Sequence, residues 1–380
     1  MCFQAEALNR EALFTDETEN FRFPTEPEAG DDVYLRFRTA RNNVDYVCYI
    51  EDGSSLKEAV MEKTDSDGQF DYYEYKITVG SDKLSYSFKV VKGSEVCYYN
   101  RLGATMDNQE SFHFRIAPGF STPDWAKGAV MYQIYVDRFC NGDPANDVVD
   151  NEYFYIDQNV EHVSDWSRYP SQMDVGCFYG GDLQGVWDKL DYIQNLGVDV
   201  IYFNPIFVSP SNHKYDCQDY DHIDPHYGVI VKDGGEPLKS GATDNRQATK
   251  YMVRSTAKEN LEASDAFFAR FVEEVHRRGM KIILDGVFNH CGSFNKWLDG
   301  ELLYQMSGDY EAGAYVSEDS PYHTFFKFYK DDAWPCNDSY DGWWGHSTLP
   351  KLNYEESPKL YEYIMNIARK WVSPPYNVDG

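Results

Sequence analysis

Long apolar runs are missing from this sequence: nothing in its 380 residues approaches the roughly 18 consecutive apolar residues that cross a bilayer. Missing too, from Met1 to Glu6, is the basic start with an apolar core that marks a secretory leader. A soluble, cytoplasmic protein is the expectation. Positive charge is scarce, with 35 Lys and Arg against 63 Asp and Glu, a net charge of -28. The excess is spread at similar density over the first 120 residues and the rest, so it reads as a solvated surface and not as a tail. Phosphate recognition needs clustered cations, so neither nucleic acid nor an anionic membrane is an expected partner. No Gly-Lys-Ser/Thr or Gly-x-Gly-x-x-Gly segment is present to cradle a nucleotide. The eight cysteines form no Cys-x-x-Cys pair and no zinc-finger spacing, which favours free thiols over a disulfide framework.

Aromatic residues are abundant: 8 Trp, 31 Tyr and 23 Phe. Aromatic faces stack on sugar rings, but strands also use Tyr and Phe as core, and composition alone leaves both uses open.

Residues 1–120 read as short strands and turns. Val33 to Arg38 and Ser85 to Val90 alternate apolar and polar with period two, and Asp52-Gly53 and Asp67-Gly68 supply turns. An all-β, immunoglobulin-like sandwich is expected there. Pro118-Gly119 and Ser121-Thr122-Pro123 break the pattern, so the domains are drawn as 1–120 and 121–380. Beyond the break, strands alternate with helices. Val130 to Val136, Val198 to Phe203 and Lys281 to Leu284 are continuous apolar runs of the buried parallel type. Leu183, Val186, Leu190 and Ile193 follow helical spacing up to Gly197; a second helix is expected from Ser264 as N-cap to Gly279. Ser357-Pro358 starts a last helix with Leu360, Ile364, Ile367 and Trp371 on its buried face. Residues 229–260 are polar and without period, a surface loop by this reading. The order predicts an α/β fold with a parallel sheet, open or closed into a barrel.

Polar residues gather at the predicted strand ends, where a (β/α) barrel carries its chemistry. Asn141, Asp143, Asn146 and Asp147 offer the oxygens a hard cation takes, although the same residue types make ordinary turns, which chemistry alone favours. Gly180-Gly181-Asp182 leads into a helix, where Asp182 serves equally as cap or ligand. His213 and Tyr215 follow the second strand; they suit hydrogen bonding and stacking on a sugar, or a plain polar loop. Asp285 to His290 ends the third strand, where burial of three polar groups is costly unless they are paired.

Taken in order, these segments resemble glycoside hydrolase family 13, the α-amylase family, and within it the neopullulanase, cyclomaltodextrinase and maltogenic amylase group. The resemblance is carried by Tyr132 to Phe139 with Asn141-Gly142-Asp143, by Gly180 to Gly185, by His213 to Asp216, by Asp285 to His290, and by Trp343-Trp344-Gly345 through Asn353. It implies a (β/α)8 TIM barrel, of which the first three to four strands are present, with an inserted domain at 291–356. It likens the first domain to a carbohydrate-binding module that often mediates homodimers. It implies an α-glucan hydrolase acting on α-1,4 and α-1,6 bonds with retention. His213 and His290 would hydrogen-bond the sugar, Tyr215 would stack on it and Asp285 would brace the site. Asn141, Asp143, Asn146, Asp147, Gly180 and Asp182 would hold calcium, which turns the preference for a plain turn around.

Two departures stand out. The 229–260 segment replaces a usually short connection. The family's nucleophile segment would begin where Val378-Asp379-Gly380 stand, and no residue matches either catalytic carboxylate. The expectation is a substrate-binding part of a longer enzyme, inactive alone; the competing expectation is a non-catalytic glucan-binding or scaffolding protein.

Overall fold

A computed structural model describes residues 7–52 and 56–380, apart from the Ser307 side chain. Cys2 and the turn expected at Gly53 lie outside the described residues. The chain divides after Lys127 into two compact units, each described by itself.

The first unit is a sandwich of two antiparallel sheets. One holds Arg22–Phe23, Asp32–Ala40, Phe70–Thr78 and Glu62–Ser66 in that order. The other runs Lys57–Val60, Tyr46–Asp52, Leu84–Lys92, Glu95–Asn100 and Gly103–Thr105, with Phe114–Ile116 also on Leu84–Lys92. Period-two alternation does the folding work: Val33, Leu35 and Phe37 are buried, while Asp32 before them and Tyr34 between them face water. Phe37 meets Phe88 of the opposite sheet at 5.1 Å between ring centres, closing the core. Asp67 makes the expected turn, its side chain accepting from the Gln69 and Phe70 amides at 2.7 Å.

The second unit is built on three parallel strands, Met131–Ile134, Val200–Phe203 and Lys281–Leu284, with the middle one central. Tyr132, Ile201 and Ile282 stand in register, as do Ile134, Phe203 and Leu284. Ile134, Ile201, Phe203 and Ile282 pack into one core with the helices. Asp379 N–H donates to the Ile282 carbonyl at 3.0 Å and Leu284 N–H to the Gly380 carbonyl at 2.9 Å, so residues 379–380 lie along the third strand.

The last helix, Pro358–Val372, starts as the sequence predicts: Ser357 Oγ accepts from the Leu360 amide at 3.2 Å and the four named apolar residues are buried. Three expectations need correction. The helix predicted through Leu183 to Ile193 is two short ones, Leu183–Asp188 and Leu190–Asn195, meeting at Lys189, where ψ of 5° leaves the helical range. The helix predicted from Ser264 runs Lys258–Arg277; Ser264 lies inside it, its hydroxyl donating to the carbonyls of Asn260 and Val229. Residues 229–260 are more than a surface loop. They include the helix Thr249–Thr256, and Tyr251 is buried with its ring 3.9 Å from that of Tyr153.

Candidate active site and cation loop

Asp285 is the first residue beyond the third strand, and Tyr215 lies on the loop after the second. Their side chains meet, Tyr215 O–H donating to Asp285 Oδ2 at 2.9 Å. Burial, then the bond to Asp285, pushes the Tyr215 phenol above its ordinary range, so it is a proton donor at neutral pH. Burial, then the charge of nearby Asp285, also raises the phenol of Tyr202 on the middle strand. His213 Nδ1 accepts the Tyr215 amide at 3.1 Å, which leaves Nε2 to carry the ring proton. Between the two, Lys214 takes the left-handed conformation at φ 59°, which turns the chain sharply. His290 lies beside the Tyr215 backbone, with Asn289 Nδ2 2.9 Å from its Nδ1, and stacks on the Trp343 ring at 6.0 Å; burial lowers its pKa, so the imidazole is neutral. The structure therefore brings all four expected sugar-binding residues together. Beside them lies a cavity of about 580 Å³ lined by Asn289, Trp343, Lys351, Tyr354 and Tyr361.

Behind this surface is a hub that sequence reasoning missed. Asp216 is buried, accepts Ser209 Oγ at 2.7 Å, and takes further bonds from Ser211 and Tyr155. Ser211 Oγ in turn lies 3.1 Å from His213 Nδ1. Tyr202 was findable by strand parity, since it shares a sheet face with Ile283 and hence with Asp285. Asp216 stood in the His213 to Asp216 segment without a role; Ser209 and Ser211 lie 7 and 5 residues from it, and only Tyr155, 61 residues away, comes from a separate segment.

The loop after the first strand gathers the expected cation ligands around Gly180. Asn141 Nδ2 donates to Asp147 Oδ1 at 2.8 Å, and Asn146 Nδ2 reaches Asp182 Oδ2 and the Gly228 carbonyl. Asp182 both caps the helix and braces the loop, its carboxylate accepting the amides of Gly142, Asp143 and Gly185. Asp143 Oδ1 folds back onto the Ala145 amide. The buried Oδ1 atoms of Asn141 and Asn146 have no hydrogen-bond partner among the described residues. Burial, reinforced by Asp182 and Asp137, raises the Asp147 carboxyl to about 6 against the pull of His162 and Asn141. Gly180 sits at φ 77°, and a Cβ there would lie 2.5 Å from Asp147 Oδ1 and 2.6 Å from Asn141 Nδ2, so only glycine leaves the space open. Among the described residues no three His, Cys, Asp or Glu side chains form a metal cluster. The donors here are mixed amide and carboxylate oxygens with a shortage of positive charge, a set that fits a hard cation.

The chain matches the model described as "Alpha amylase, catalytic domain" over residues 133–233 and 262–380, and "Alpha amylase, N-terminal ig-like domain" over 8–118. The chain belongs to the α-amylase family. Neopullulanase 2 of Thermoactinomyces vulgaris is 31% identical over 384 residues, covering 97% of this chain and 54% of that protein. Intracellular maltogenic amylase of Bacillus subtilis (strain 168) is 30% identical, covering 92% of this chain and 52% of that one. A solved cyclomaltodextrinase superposes with a TM-score of 0.53 at 26% identity, over 97% of this chain and 55% of that chain. The α-amylase-family chain thus spans about half the length of the curated relatives it matches. Its three strands are part of the family's (β/α)8 barrel, and the sandwich is its immunoglobulin-like N-terminal domain. Among the described residues no helix is long and apolar enough to cross a membrane. Residues 234–261 fall between the two stretches matched to the catalytic domain.

Proposed function

We propose that this chain is the substrate-binding part of an α-glucan hydrolase of the neopullulanase and cyclomaltodextrinase type, cytoplasmic, acting on α-1,4 and α-1,6 glucosidic bonds with retention. The observation that carries the reading is the contact of Tyr215 with Asp285, which joins the loop after the middle barrel strand to the end of the third. His213 Nε2 and the neutral His290 ring offer hydrogen bonds to sugar hydroxyls. Tyr215 and Trp343 offer aromatic faces, and Asp285 fixes the phenol's direction. Retaining hydrolysis needs two carboxylates about 5 Å apart, and we assign neither to a residue of this chain.

Asn141, Asn146, Asp147 and the Gly180 carbonyl, braced by Asp143 and Asp182, would hold calcium. The ion would supply the positive charge this loop lacks and fix the chain beneath the site. The N-terminal domain is assigned to carbohydrate binding and to pairing with a second copy.

Calorimetric titration of the chain with maltotriose tests the reading. Binding is expected, weakened about tenfold by His213→Ala or Tyr215→Ala, the size of one lost hydrogen bond or stacking contact. Cellotriose should bind weakly, and pullulan should release no reducing sugar. A chain that ignores maltotriose, pullulan and cyclomaltodextrin alike overturns the proposal.

A further inference from the structure

The segment that the catalytic-domain model does not match carries a buried arginine. Arg254 is 3% exposed and lies on the helix Thr249–Thr256. Its Nη1 donates to Glu152 Oε2 at 3.1 Å and to the Asp147 carbonyl at 2.8 Å, while Nε and Nη2 grip Asp233 at 2.9 Å each. Glu152, with no exposure at all, reaches His226 Nε2 through Oε1 at 2.9 Å. His226 Nδ1 lies 3.0 Å from Asp224 Oδ1, and Asp224 Oδ2 accepts Lys214 Nζ at 2.6 Å. Lys214 is the left-handed residue between His213 and Tyr215. Its ammonium also donates to the Ser209 carbonyl and lies 4.4 Å from the centre of the Tyr227 ring.

We propose that Arg254 and Glu152 are positioning residues: through His226, Asp224 and Lys214 they set the turn that aims His213 and Tyr215 at the sugar. The inference rests on the glucan-binding reading of those two residues. Five buried ionisable groups in one line are costly unless each is paired. A non-glycine residue at positive φ persists only where its surroundings hold it. Here the holding group is the Lys214 side chain, and the line that anchors it ends on a residue from the unmatched segment. Without Arg254 the Glu152 carboxylate is left with the imidazole and the Val149 amide, and with no guanidinium to balance its charge. The pair must then shift its proton or move, and Asp224 moves with it. That segment is thereby more than cover: it supplies the terminal cation of a line that starts at the sugar-binding turn.

The test uses the whole chain and two readouts, the imidazole NMR signals of His213 and calorimetric affinity for maltotriose. Arg254→Met keeps the aliphatic stem and removes the charge. It is expected to shift the His213 and His226 signals and weaken maltotriose about tenfold, with Arg254→Lys recovering most of the loss. A folded Arg254→Met chain with wild-type His213 signals and affinity overturns the proposal, even when its melting temperature falls. If Arg254→Met does not fold, the Glu152→Gln/Arg254→Met pair removes both charges together and is judged on the same signals. If the wild-type chain binds no glucan, the functional reading fails separately, and the His213 signals still decide the positioning role.

Discussion

The barrel unit holds two clusters of buried polar groups that satisfy themselves to different degrees. From Lys214 to Arg254 every charge meets an opposite one within 3.1 Å, and the line is complete. Around Gly180 the balance is incomplete: two amide oxygens lack partners and Asp147 is held near pH 6. A completed network is a scaffold, because its energy is spent on fixing geometry. An incomplete one made of oxygens is shaped for something positive. Buried polarity alone does not mark a ligand site; the remaining unmet valence does.

Breaking the closed line should cost most. Asp224→Ala strands the Lys214 ammonium, and a loss of about 3–5 kcal/mol in urea unfolding is expected. A cost near zero would mean the line fixes nothing. The open cluster should respond in the other direction. With calcium at a hundredfold over its dissociation constant, stability should rise by about 2.7 kcal/mol, and Asp147→Asn should remove the gain. Calcium without effect on unfolding would make the loop a plain turn. A smaller effect comes from pH. Burial pulls the His226 imidazole down, but Glu152 and Asp224 outweigh it, so its pKa stands above the ordinary 6.5. A raised histidine stabilises fully below 6.5 and loses that contribution as pH climbs through its folded value. Urea midpoints should therefore decline above pH 6.5, and His226→Gln should flatten the decline.

Much of this was legible locally. The strand ends and the capped last helix follow from apolar runs that stop at polar clusters, whereas the four residues of the proposed sugar site were singled out through the resemblance to the α-amylase family. The start of the helix Lys258–Arg277 was hidden because its buried face is polar there. Asn260 accepts the Val231 and Lys232 amides at 2.9 and 2.7 Å, and its Nδ2 donates to the Lys232 carbonyl. A period built on apolar residues cannot see a face that packs by hydrogen bonding. Glu152 was invisible for another reason: its partners His226 and Arg254 stand 74 and 102 residues away. Nothing near it in the chain announces a buried acid.

The pairing of Glu152 with Arg254 also has an evolutionary consequence. The acid sits in a stretch matched to the catalytic domain, and the base sits in one that is not. A relative that lost the segment would inherit a carboxylate sealed from water with one partner fewer, at a cost of several kcal/mol. The two are therefore a single heritable unit, expected to be gained and lost together. Grafting the segment into a relative without the acid should leave a guanidinium without its buried carboxylate.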